Sequence, residues 1–130
     1  MNNVYDNVVD AIGKSPIIKL NKCLEEEGVK CQIWAKCEFF NPGGSIKDRI
    51  GKLMIEKAEK EGVLKPGGTV VECTSGNTGM GLALNCLIKG YKCVITIPDK
   101  MSMEKVNLLK ALGAEVVICD TAAPYGDPNK

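Results

Sequence analysis

Lys47 is the residue of this sequence whose surroundings could support chemistry. It stands within residues 41–49, Asn-Pro-Gly-Gly-Ser-Ile-Lys-Asp-Arg, where a glycine-rich turn runs into the first turn of a predicted helix. The start of a helix carries partial positive charge and unpaired N–H groups, so it favours anions and disfavours another cation. A lysine there gains nothing from the dipole and is pushed toward its neutral amine, the form that attacks carbonyl carbons. The plain alternative is a solvated lysine at an ordinary loop-to-helix entry, because short motifs of this kind also occur by chance.

A second stretch, residues 74–79, reads Thr-Ser-Gly-Asn-Thr-Gly. Hydroxyls, an amide and free N–H groups at the start of a helix suit a carboxylate or a phosphate. The glycines Gly76, Gly79 and Gly81 do not have the dinucleotide-binding spacing, and no Walker sequence is present. Taken by itself, the stretch is equally a well-capped turn built from ordinary turn residues.

The elements that must carry these two turns follow from apolar periodicity. From residue 69 onward the rhythm is strand, helix, strand, helix, strand. The pattern predicts strands over 69–73, 91–97 and 115–119. It predicts one helix over 78–89, closed by Gly90, and another from a Ser102 cap to Leu112, stopped by Gly113. Met101 and Val106 flank that cap as a hydrophobic staple. Short strands joined by helices of this length specify an α/β fold, a parallel βαβαβ unit in a three-layer arrangement with helices covering the sheet. Ligands in such sheets bind beyond the carboxyl ends of the strands, where residues 74–79 lie.

Upstream, residues 8–12 alternate weakly, 17–20 form a short apolar strand, and the polar run 21–29 contains a short helix. Residues 31–38 alternate as a strand. Ser45 reads as a helix cap with Asp48 completing a capping box. Ile46, Ile50, Leu53, Met54 and Ala58 mark the apolar face of the helix that follows, and Gly62 ends it. The change of rhythm divides the chain into residues 1–68 and 69–130.

Composition limits the rest. The 130 residues are 45% hydrophobic and 25% charged, as in a globular unit with a core, and net charge is +1 with both signs interspersed. Neither nucleic acid nor a membrane is implied as a partner, and no apolar run has signal-peptide or membrane-span length, so the expected location is the cytoplasm. The seven cysteines include no Cys-x-x-Cys pair and read as small buried hydrophobes in a reducing compartment. There is no histidine, which removes Ser-His-Asp and Cys-His chemistry and argues against a metal site.

Together the stretches resemble the cystathionine β-synthase and cysteine synthase family, the fold-type-II pyridoxal phosphate enzymes, over about residues 12–128. Ile12-Gly13-Lys14-Ser15-Pro16-Ile17 is similar to the family's opening block, residues 36–49 to its lysine segment, and 72–81 to its asparagine loop. Residues 101–106 and 112–115 match a third block. The wording of Phe39-Phe40-Asn41 and Glu104-Lys105-Val106 is more like the cystathionine β-synthase branch.

The resemblance implies that Lys47 carries pyridoxal 5′-phosphate and later moves the substrate's α-proton, and that Asn77 hydrogen-bonds the cofactor's 3′-oxygen. It implies that Thr74, Ser75, Asn77 and Thr78 bind the substrate carboxylate. The implied reaction is β-replacement on L-serine or O-acetylserine by homocysteine or sulfide, giving cystathionine or cysteine. The resemblance further implies residues 1–68 as part of a larger domain, 69–130 as part of a smaller substrate-loop domain, and a homodimer for the full-length enzyme. Family members are longer, so the fold is expected to be incomplete at Lys130, lacking the loop that holds the cofactor phosphate, and the isolated chain is expected to bind cofactor weakly and to show little turnover. A histidine-ligated haem, carried by some members, is not expected. Cys73 stands where the family usually has proline and Ser15 where it has threonine. The competing expectation is a non-catalytic remnant that acts by binding a partner.

Overall fold

A computed structural model describes residues 4–21, 27–74, 76–124 and 126–127. The helix expected within 21–29 falls largely outside them, as do Ser75 and Cys23.

Residues 8–12 form no strand. Asn7 accepts hydrogen bonds from the N–H groups of Val9 and Asp10 through its side chain, and this caps a 3-10 turn over Val8–Ala11. Strand β1 (Ile17–Leu20) pairs antiparallel with β2 (Ile33–Lys36), with Ile17 opposite Lys36. The strand expected over 31–38 is therefore shorter, because Glu38–Phe40 turns into a 3-10 segment. Both strands leave large apolar groups such as Ile17, Trp34 and Ile18 exposed.

Helix α1 spans Lys47–Lys60, and the backbone turns away after Glu61 at Gly62, whose φ is +72°. Strand β3 (Thr69–Cys73), helix α2 (Asn77–Lys89), strand β4 (Lys92–Pro98), helix α3 (Met103–Ala111) and strand β5 (Glu115–Cys119) follow in order. The three strands are parallel and adjacent in the order β3-β4-β5, with Val71 beside Val94 and Thr96 beside Val117. Two successive crossovers of the same hand, both stepping the same way along the sheet, put α2 and α3 on one face.

That face holds the core. Cys93, Ile95 and Ile97 of β4 are buried against Leu82, Ala83 and Cys86 of α2 and Val106 and Leu109 of α3, and Ile55 reaches the same cluster from α1. Helix α1 lies beside α2 and also faces β3, where Ile55 and Ala58 line one pocket with Val70 and Glu72. Burying Ile55, 2% exposed, contributes roughly 1.5–3 kcal/mol. On the other face of the sheet Val71 and Val117 are exposed. No helix among the described residues is long and apolar enough to cross a membrane.

Two expectations about α1 do not hold. Its expected apolar face is largely exposed, with Ile46 at 54% and Leu53 at 64%, while Asp48, Gly51 and Ile55 are the buried positions. The helix is rotated because its tightest contact is with α2 through Gly51, a residue that hydrophobic periodicity does not register. The capping box also forms differently. Ser45 Oγ accepts from the Lys47 N–H at 3.2 Å, but the Asp48 carboxylate reaches past Ser45 to the Gly43 N–H. Ser102 likewise makes no side-chain cap bond for α3. Of the six described cysteines, Cys37, Cys86 and Cys93 are buried, whereas Cys31 and Cys73 are exposed and Cys119 is intermediate, contrary to a uniformly buried set.

Candidate functional site

Lys47 and Asn77 are the first residues of α1 and α2, and the two helices lie side by side pointing the same way. At their N-terminal ends the backbones nearly touch. A methyl group on Gly81 would lie 2.8 Å from the Lys47 carbonyl oxygen, and one on Gly51 would lie 2.5 Å from the Gly81 carbonyl carbon. At the other ends, Lys89 Nζ is 2.6 Å from Glu59 Oε2 and the Tyr91 hydroxyl donates to Glu59 Oε1 at 2.8 Å. Lys89, and then Tyr91, hold the Glu59 carboxyl below its ordinary range. Parallel alignment brings two positive helix ends to one place, which favours anions there.

The two ends are not equivalent. The start of α1 is already used: Ser45 accepts from the N–H groups of Lys47 and Asp48, and Ile46 from that of Arg49. The start of α2 is open. Its cap residue is Gly76, with no side-chain bond, and a Cβ there would meet nothing within 4 Å. Among the described residues, the Gly79 N–H alone of the first turn bonds back, to the Gly76 carbonyl at 3.1 Å. Among the described residues, the side chains of Asn77 and Thr78 and the ammonium of Lys47 have no hydrogen-bond partner. Lys47 and Asn77 are exposed and Thr78 is half-buried.

Thr74 is tied down. Its N–H donates to the Thr96 carbonyl at 3.2 Å, which extends β3 by one residue, and its Oγ1 accepts from the Gly76 N–H at 3.4 Å. The structure therefore brings Lys47, Thr74, Asn77 and Thr78 to one end of the α1–α2 pair; Ser75 lies outside the described residues. Beside Asn77 a cavity of about 210 Å³ opens between α2, the end of β4 and α3. It is lined by apolar Met80, Ile97, Met101 and Leu108, with Glu104 and Lys105 at α3. Periodicity marked Met101 only as part of a helix staple, so this pocket was not legible in the sequence.

Behind Lys47, Glu38 and Arg49 form a two-bond ion pair, Nε to Oε2 at 2.7 Å and Nη2 to Oε1 at 2.9 Å. Arg49 and then Ser15, which donates at 2.8 Å, pull the Glu38 carboxyl from its ordinary 4.5 down to about 2. Asp48 is the opposite case. It is fully buried and its Oδ1 has no partner, so burial pushes its carboxyl up despite the bond from Gly43. Among the described residues no group of acidic, cysteine or histidine side chains could hold a metal ion.

The family model described as pyridoxal-phosphate dependent enzyme matches residues 8–129. The cystathionine beta-synthase of Rattus norvegicus is 53% identical over 126 residues, which is 97% of this chain and 22% of that protein. A cysteine synthase of Staphylococcus aureus is 54% identical over 113 residues, 87% of this chain and 36% of that protein. The crystal structure of a hydrogen sulfide-producing enzyme from Fusobacterium nucleatum superimposes with a TM-score of 0.84 at 42% identity, covering 94% of this chain and 39% of that one. That of an O-ureido-L-serine synthase gives 0.83 at 39% identity, covering 90% and 36%. The chain spans about a quarter of the length of the cystathionine beta-synthases it matches. With a family match over nearly its whole length and a parallel α/β fold shared with these structures, the chain belongs to the pyridoxal-phosphate dependent enzyme family.

Proposed function

We propose that this chain supplies the cofactor lysine and the carboxylate-binding loop of an enzyme that replaces the β-substituent of L-serine or O-acetylserine with a thiol. Homocysteine as the thiol gives cystathionine, and sulfide gives cysteine. The observation that carries this reading is the meeting of an unpartnered lysine and an uncapped, hydroxyl-bearing helix start at one end of two parallel helices.

The residues present fit pyridoxal 5′-phosphate. Lys47 offers an exposed amine that is free to bond its aldehyde, and the unpartnered amide of Asn77 is free to hydrogen-bond the 3′-oxygen. When bound, the pyridoxal ring withdraws electrons from the substrate's α-carbon. The chain's own residues do the rest. Asn77 and Thr78, with Thr74 and Ser75, bind the substrate carboxylate, using the open N–H groups of α2 and the positive end of its dipole. The Lys47 amine would take the substrate's α-proton and later return one, acting as a base already in place. The apolar cavity beside Asn77 receives the alkyl part of the incoming thiol, with Lys105 at its side for a second carboxylate. The cytoplasm, a homodimer and the division into 1–68 and 69–130 belong to the same reading.

The test is an assay of the chain, supplied with the cofactor, against serine or O-acetylserine with homocysteine or sulfide, using mass detection of product. Turnover by the chain alone is expected to be slight, and the cofactor-dependent product that does form is expected to disappear in Lys47→Ala, with a raised half-saturating donor concentration in Asn77→Ala. Product formation indifferent to Lys47 contradicts the reading. A second reading, a non-catalytic interaction protein, is favoured by the apolar groups left exposed on α1 and around β2, including Leu53, Phe39 and Phe40. No absorbance band dependent on Lys47 when pyridoxal phosphate is added to the chain would favour it.

A further inference from the structure

The block Ile12-Gly13-Lys14-Ser15-Pro16-Ile17 touches neither Lys47 nor Asn77 directly, yet it converges on the segment that carries Lys47. Glu38 is the hub. Its carboxylate accepts from Arg49 Nε and Nη2, from Ser15 Oγ at 2.8 Å and from Asn41 Nδ2 at 2.9 Å. Asn41 in turn accepts from the Gly13 N–H at 2.8 Å, and Arg49 Nη2 also donates to the Gly13 carbonyl at 3.0 Å and to Ser15 Oγ at 3.3 Å. Ser15 and Asn41 are buried, at 8% and 4% exposure.

Gly13 is required twice over. Its φ is +86°, and a methyl group there would lie 2.8 Å from Arg49 Nη1, so a side chain would displace the guanidinium. Glu38 and Arg49 are the two ends of a segment that contains the whole Asn41–Ser45 turn and Lys47. Their ion pair closes that segment like a drawstring. The hydroxyl of Ser15 is what the network uses.

We propose that Glu38 and Arg49, braced by Ser15, Gly13 and Asn41, are positioning residues that hold the Lys47 turn at the open end of α2. The proposal deepens the reading of Lys47 as the cofactor lysine and rests on it for its functional meaning. A bidentate, charge-assisted pair fixes both distance and orientation, which a lysine ammonium in place of Arg49 cannot do.

The experiment compares native-state hydrogen exchange of the full chain with that of Glu38→Gln, Arg49→Lys and Ser15→Ala. The reporters are the amides of Gly43, Gly44 and Lys47, which donate to Asp48, to the Asn41 carbonyl at 2.7 Å and to Ser45 Oγ. In Glu38→Gln these amides are expected to exchange about tenfold or more faster while those of β4 keep their protection. Arg49→Lys and Ser15→Ala are expected to fall between. Borohydride-fixed pyridoxal phosphate on Lys47, located by peptide mass, should decrease in the same order. Unchanged exchange at 43–47 overturns the proposal. So does acceleration that spreads to β4 in both Glu38→Gln and the milder Ser15→Ala, which would assign the network to global stability. Failure of the unaltered chain to be labelled at Lys47 overturns the reading of Lys47, and the exchange measurement decides the clamp independently.

Discussion

Gly51 and Gly81 lie backbone against backbone, and this contact sets Lys47 beside the start of α2. Neither position has room for a methyl group, and the obstructing atoms are main chain, which cannot swing aside. Alanine is the better helix former by about 1 kcal/mol, so propensity alone would make Gly51→Ala and Gly81→Ala stabilising. Overpacking wins instead. Each substitution is expected to cost roughly 1–3 kcal/mol, read as a lower urea midpoint. A midpoint that rises in both would mean that the helices are farther apart than described.

The two carboxylates flanking the lysine turn should respond to acid in opposite ways. Glu38 is held at about 2 against an ordinary 4.5, so its contribution to stability is full above pH 4.5 and is lost as pH falls from there toward 2. Asp48 is raised above its ordinary 3.8 by burial, so the folded state holds that proton more tightly than the unfolded one. Its effect is a loss of stability as pH rises from 3.8 through the raised value. Denaturation midpoints measured against pH should therefore show a flatter acid limb in Glu38→Gln and a lost alkaline-going decline in Asp48→Asn.

Thiol labelling of the folded chain should divide the cysteines by depth. Cys31 and Cys73 are exposed and are expected to react promptly with an alkylating reagent, whereas Cys37, Cys86 and Cys93 are buried and should react only after denaturation. Cys86 faces Cys93, and that contact and burial push its thiol far up, so its reactivity is expected to be the most suppressed. Peptide mass analysis at timed intervals checks this. Equal labelling of Cys73 and Cys86 would contradict the packing of α2 on β4.

Much of this architecture is legible in the sequence, for identifiable reasons. β1, β3 and β5 stand where short apolar runs bounded by turn residues put them, and Gly90 and Gly113 follow α2 and α3 as expected. The buried side of α1 was not legible. It is formed by Asp48, Gly51 and Ile55, a charge and a glycine on either side of the expected pattern. The two turns that carry Lys47 and Asn77 could be found from residue types. That they share one end of a helix pair could not, because it depends on two glycines that no hydropathy pattern records. Glu38 could not be singled out either, since a carboxylate in an alternating strand reads as a solvated residue until its donors are seen in space.

Lys47 is the residue to which pyridoxal phosphate is proposed to bond. The most direct measurement is to incubate the full chain with the cofactor, reduce with borohydride, digest, and locate the pyridoxyl group by mass. The label is expected on Lys47, absent in Lys47→Ala and not shifted to another of the lysines. A label spread over the surface lysines, or one that persists in Lys47→Ala, would contradict it.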